Sequence, residues 1–194
     1  MLLDLELSLS DFLSSSLISQ FTSLIIKPQA IPTQINNDEV SIYIKMSSVL
    51  ENKRLKGVGE KVRVDEQRMF HRRPAPLWFD SQFELTPKVG TTALLSAPFV
   101  GEVSTTEQAE LMLMTALLHV ISVNEDIPVD SLKGSFSGDV PENSIDRMDI
   151  EKVITTESEP LSLLVNLRAS MQVFDEISLA KPADKKIINE SAIT

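Results

Sequence analysis

The chain has 194 residues, 42% of them hydrophobic, no cysteine, and a formal net charge of −10 at pH 7. That apolar share supports a packed core and excludes a disordered chain, and the length fits one domain with room for an arm or tail. The absence of cysteine excludes disulfides and thiolate metal sites.

No apolar run approaches the ~20 residues that span a bilayer. Acid at Asp4 and Glu6 stands where a signal peptide needs base. Neither membrane insertion nor an export signal is therefore expected. The charge is unevenly spread. From Lys45 to Arg73 nine Lys and Arg face four acids, a net +5, and the remainder of the chain carries −15. Between Glu102 and Glu176 there are 15 acids and four bases. Such a chain can self-associate head to tail, the basic surface of one copy on the acidic surface of the next. A solvated basic loop is the plainer alternative.

Residues 2–21 carry two superposed patterns. Leu3, Leu5, Leu7 and Leu9 alternate like a strand, whereas Leu5, Leu9, Phe12, Leu13 and Leu17 fall at helical spacing. The helical stripe runs past the alternation, so a helix is expected. Residues 21–26 read as a strand stopped by Pro28 and Pro32. Val40, Ile42, Ile44 and Met46 then alternate with Ser41, Tyr43 and Lys45, the mark of a half-buried strand.

Residues 50–73 lose apolar periodicity apart from Val62 and Val64 and include Gly57 and Gly59. They read as a long connector or a projecting hairpin, and structureless connectors beyond ~12–15 residues are usually functional. Leu77, Phe79, Phe83 and Leu85 mark a strand that should end before Pro87. Residues 87–104 read as a loop or small hairpin.

Thr105, Thr106, Glu107 and Gln108 start a helix running to about Val123. Its polar positions, Gln108, Thr115, His119 and Ser122, form one narrow stripe, so it is expected to pack deep against a sheet. Residues 124–144 are turn-rich, 145–154 a strand. Pro160 opens a short helix carrying Leu161, Leu164, Val165 and Leu167. Residues 170–177 read as a last strand before a polar tail. The fold class is α+β, a mixed, largely antiparallel sheet flanked by helices with a long extended arm.

Chemistry is sparse. Of the two histidines, His71 lies in the basic run and His119 on the long helix. There is no H-E-x-x-H, G-x-S-x-G, P-loop or G-x-G-x-x-G. The acid pairs Asp146/Asp149 and Glu157/Glu159 lack the six or so converging oxygens that a hard cation needs. No nucleophile–base pair can be named, no cofactor or metal is expected, and the chain is not expected to be an enzyme. The basic segment has Phe70 as its sole aromatic between Lys53 and Arg73, and the overall charge repels phosphate, so no nucleic acid is expected either.

Three passages together carry a family resemblance: Ser47-Ser48-Val49-Leu50-Glu51-Asn52-Lys53-Arg54-Leu55, the run Arg72-Arg73-Pro74-Ala75-Pro76-Leu77-Trp78-Phe79-Asp80, and Leu164-Val165-Asn166-Leu167-Arg168-Ala169-Ser170-Met171-Gln172-Val173. With the leading amphipathic helix and the Thr-Glu-Gln-started helix, they resemble the cap, or tail-terminator, family of contractile injection systems, which are phage-tail-like particles. The resemblance covers most of residues 1–178. It departs from the family in a longer 87–104 segment and in Leu163-Leu164 where a Leu-Trp pair often stands.

The resemblance implies a terminator-like domain over 1–178, with 50–73 as a basic extended arm or hairpin and 179–194 as a flexible C-terminal tail or docking arm. It implies a sixfold ring on top of the inner tube, engaging the uppermost sheath subunits. The partners are then further copies of the chain, the tube and the sheath. The particle assembles in the cytoplasm and is either released or held at a membrane. The arm cations Lys53, Arg54, Lys56, Lys61, Arg63, Arg68, Arg72 and Arg73 are the expected subunit or partner interface. A monomeric adaptor binding one partner through the same arm is the alternative.

Overall fold

The computed structural model describes residues 2–21, 23–56, 58, 61–64, 70–95, 103–137, 144–156, 159–172 and 177–179, with the backbone alone for 61–64, 70–73, 95 and 177–179. In chain order the elements are α1 (Leu2–Leu17), β1 (Leu24–Lys27), β2 (Val40–Glu51), β3 (Lys61–Val64), β4 (Phe70–Arg73), β5 (Leu77–Val89), α2 (Thr106–Val123), β6 (Ser144–Ile154), β7 (Ser162–Met171) and β8 (Ile177–Leu179). They form a five-stranded sheet in the order β1-β2-β5-β7-β6 and a three-stranded sheet in the order β3-β4-β8. Only β1 and β2 run parallel; every other pairing is antiparallel. The fold is α+β with a mixed sheet, as its sequence pattern requires.

One face of the five-stranded sheet holds the core. Val40, Ile42 and Ile44 on β2 stand opposite Val89, Pro87 and Leu85 on β5. Phe83 and Leu85 in turn stand opposite Val165 and Leu163 on β7. Both helices lie on this face: α1 packs on β1, β2 and α2, and α2 packs on β5, β6 and β7. The helical stripe of α1 is the one that wins: Leu5, Leu9, Phe12, Leu13 and Leu17 are buried, while Leu3 and Leu7 remain exposed. Thr105 caps α2, its side chain accepting the Gln108 N–H.

A bulge explains how the apolar face continues past Met46. The β2–β5 register shifts between Met46 and Ser48, so Ser47 drops out of the ladder and Val49 comes to stand opposite Ser81 on the core side. The same device operates twice in β6. Its ladder with β7 shifts between Ile145 and Arg147 and between Ile150 and Lys152. Ile145, Met148, Ile150 and Val153 thereby share one face although their spacing in sequence is irregular.

Five expectations need correction. The short helix after Pro160 is β7: Leu163, Val165, Leu167 and Ala169 are buried and alternate with half-buried Leu164, Asn166 and Arg168. Apolar Leu164 on the other face had mimicked helical spacing. β5 does not stop before Pro87. Its pairing with β7 ends at Leu85, so Pro87 has a neighbour on the β2 side alone, where a missing N–H is tolerated. β2 is buried on both faces over its first half: Tyr43, on the side away from the helices, is 2% exposed and has the Lys27 ammonium 5.5 Å from its ring centroid. α2 buries one side only; Leu111 is 56% exposed, since one sheet and one neighbouring helix cannot cover a whole circumference. Residues 170–177 are not one strand either: β7 ends at Met171 and β8 belongs to the other sheet.

Two loops are fastened by polar contacts. Asp4 accepts hydrogen bonds from the Ser135 N–H (3.2 Å) and hydroxyl (2.7 Å), and these hold its carboxyl below the usual carboxylate range. Buried Ser8 accepts the Lys133 N–H at 2.9 Å. At the far end, Glu39, 7% exposed, is met by Lys27 at 2.5 Å and by the Ser41 hydroxyl. The Gly90 N–H donates to the Glu39 carbonyl at 2.8 Å.

Two substitutions test this packing. A Cβ at Gly90 would sit 2.3 Å from the Asn37 carbonyl oxygen, a backbone atom. Gly90→Ala is therefore expected to lower stability by roughly 1–3 kcal/mol in denaturant unfolding. The Ser81 hydroxyl is fully buried and has no hydrogen-bond partner among the described residues. Ser81→Ala removes that desolvated group and is expected to be neutral or stabilising by up to about 1 kcal/mol. A clear loss of stability would show that the hydroxyl is satisfied.

Candidate interaction surface

The basic segment emerges where β2 leaves the main sheet. Lys53 and Arg54 lie in a 3-10 turn, Lys53–Leu55, closed by Asn52, whose side chain accepts the Arg54 N–H. Lys53, Arg54 and Lys56 are all exposed. Lys61 and Arg63 belong to β3, and Arg72 and Arg73 to β4. Arg68 lies outside the described residues, as does the stretch 180–194. β3 and β4 pair antiparallel, and a third strand, β8, joins them from much further along the chain.

Register sorts this small sheet into two faces. Lys61 pairs with Arg73 and Arg63 with His71. The alternate positions pair Val62 with Arg72 and Val64 with Phe70. β8 adds Ser178 opposite His71, and Ile177 and Leu179 opposite Arg72 and Phe70. Since successive strand residues alternate in side, one face carries Lys61, Arg63, His71 and Arg73. The other carries Val62, Val64, Phe70, Arg72, Ile177 and Leu179. Like charges placed directly opposite each other are unfavourable in a ladder. The basic face therefore gains most from meeting acid.

The root of this blade is tied to the main sheet. Asn52 donates its side-chain amide to Asp80 at 2.8 Å, and Arg168 Nε donates to the same carboxylate at 3.1 Å. The Asn52 N–H reaches the Trp78 carbonyl at 2.7 Å. The Trp78 indole N–H donates to the Val58 carbonyl at 3.2 Å, and Gln172 to the Pro74 carbonyl at 3.1 Å. None of these anchors was singled out from the sequence. The readable signal was Trp78 and Asp80 standing on the polar side of an otherwise apolar alternation.

The opposite charge gathers along β6, an edge strand among the described residues. Its two bulged positions are Asp146 and Glu151, both exposed. Asp149 holds Arg147 at 2.6 Å, and that hydrogen bond raises the Arg147 pKa further above its usual value. The loop after α2 joins the rim, since the Met148 N–H donates to the Glu125 carbonyl at 2.7 Å. Exposed Glu125 and Asp126 add two more acids.

Other chemistry is thin. A cavity of about 240 Å³ is lined by Ala30, Ile31, Tyr43, Lys45, Glu84, Thr86 and Pro160. That is below the ~300–1,000 Å³ usual for ligand pockets, and no histidine lines it. His119 is exposed on α2. Among the described residues no group of three or more His, Cys, Asp or Glu is placed to hold a metal ion, and no helix is long and apolar enough to cross a membrane.

A chain of known structure is similar in overall fold. It is the sheath/tube terminator of an extracellular contractile injection system, PVC, solved by cryo-EM in the extended state. The two chains share a fold. The match has a TM-score of 0.61 at 12% identity and covers 99% of this chain and 64% of that chain. This chain thus spans under two thirds of the terminator's length. No protein-family model matches the sequence, and no curated protein matches it.

The blade-root contacts predict a measurable effect. Asp80→Ala removes the acceptor shared by Asn52 and Arg168. Both partners keep access to water, so the stability loss should be modest, roughly 0.5–1.5 kcal/mol. Amide exchange at residues 52–58 should nonetheless accelerate. Unchanged exchange there would mean that Asp80 does not position the blade.

Proposed function

We propose that this chain is a structural terminator, or cap, subunit of a contractile injection system, ending tube growth and anchoring the top of the sheath. The observation that carries this reading is the fold, similar to a sheath/tube terminator across 99% of the chain. The division of charge supports it: a ring subunit needs two different, complementary surfaces, and the chain carries a basic blade and an acidic edge. A cap needs no active site, and the proposed subunit is not an enzyme.

In this reading the copies close into a homohexameric ring on the inner tube and contact the uppermost sheath subunits. The arm cations from Lys53 to Arg73 form the contact surface. The particle assembles in the cytoplasm, before any release or attachment to a membrane. A monomeric adaptor would use the same blade on a single partner. Nothing in the fold favours it over a cap.

Electron microscopy of particles from a strain lacking this chain tests the proposal. Tubes of irregular length, or sheaths without a defined top, are expected. Complementation with Lys53, Arg54, Arg72 and Arg73 all changed to Glu should fail to restore capped particles. Normal particle ends in the deletion strain would overturn the terminator role.

A further inference from the structure

The blade and the β6 rim carry opposite charge on surfaces of very different build. The blade's basic face is set by cross-strand pairs, the two cations Lys61 and Arg73 and, beside them, Arg63 with His71; like charges directly opposite are an arrangement that an isolated ladder disfavours. The rim shows the complementary arrangement. An exposed edge strand of 11 residues, β6, would ordinarily invite another strand to pair with it. Here both ladder irregularities fall at exposed acids, Asp146 and Glu151. Charged bulges of this kind block edge-to-edge pairing. They leave β6 unsuited to accept a strand; Glu151 accepts the Gln82 side-chain amide at 2.6 Å, and Asp146 is exposed. Two cations share the strand, Arg147, bound by Asp149, and exposed Lys152; with Asp146, Asp149, Glu151, Glu125 and Asp126 the rim holds five acids against these two.

We propose that the basic face of the β3-β4-β8 blade docks on the acidic β6 rim of a second copy of this chain. The contact is side chain to side chain across two faces, not the addition of a strand to a sheet. It is heterologous, because the blade and the rim are different surfaces. Each copy therefore offers one of each to its two neighbours, as a closed ring requires. The C-terminal strand β8 is part of the docking element. A two-stranded hairpin alone is marginal in water, and β8 supplies the third strand beside β4. The inference rests on the ring proposed above and names its contacting surfaces.

Charge exchange in the full-length chain tests it, with self-association followed by sedimentation velocity at low salt. Arg63→Glu with Arg73→Glu is expected to weaken association by about tenfold or more, and Asp146→Arg with Glu151→Arg to do the same. A mixture of the two variants should associate again, because the reversed blade then meets the reversed rim. Truncation after Gln172, which removes β8, should weaken association as the blade reversal does. Failure of the mixture to recover, indifference of the rim variant, or a wild-type chain that stays monomeric at low salt each overturns the contact. A blade variant that abolishes particle capping beside a rim variant that leaves association untouched overturns this contact alone and leaves the terminator role standing.

Discussion

The antiparallel ladder β2-β5-β7 is the constraint on which the rest of the molecule depends. Its central strand, β5, is 13 residues long, and it lines up Phe83 and Leu85 with Met46 and Ile44 on one side and with Val165 and Leu163 on the other. A single apolar face follows from that register, and a one-residue slip would send every member of it to the opposite side. Both helices are placed by that face, because it is where their own apolar stripes can be buried. The other face is left with Asp80, Gln82, Glu84, Asn166 and Arg168, and so becomes the polar side on which the blade is anchored.

The blade follows from the same ladder. β2 and β7 reach the same end of the sheet, where Glu51 stands opposite Phe79 and Met171 opposite Leu77. The hairpin between β2 and β5 and the segment beyond β7 therefore start near each other. Their pairing into one small sheet joins residues more than a hundred positions apart in sequence. A basic run that could have been an unstructured loop is in this way given a fixed register and two distinct faces. For a protein whose proposed work is docking, a patterned surface matters more than the number of charges, since opposed patterns set the register and orientation of partners.

Bulges do two kinds of work in this chain. In β2 the one at Ser47 returns Val49 to the core side and keeps a 12-residue strand useful along its length. In β6 the pair at Asp146 and Glu151 keeps the apolar positions on the core side while placing acid at the sheet's edge. The second use protects the molecule from uncontrolled strand addition, which an open edge otherwise invites.

Much of this was legible from residue order. The stripe Leu5-Leu9-Phe12-Leu13-Leu17, the alternation from Val40 to Met46, the capped start of α2 and the +5/−15 charge division are local patterns, and local patterns are set by neighbours in the chain. The terminator resemblance could likewise be stated on short passages around Asn52 and Pro74. The tertiary structure decided the rest. It made residues 162–171 a strand because Leu163, Val165 and Leu167 have β5 to pair with, it carried β5 through Pro87 because β7 stops short of it, and it divided the last expected strand between two sheets. It also brought Asn52, Asp80 and Arg168 together and assembled the acidic rim from β6 and the loop after α2. Each of these depends on which strand lies beside which. Pairing partners distant in sequence leave no periodicity for a reader of the sequence to find.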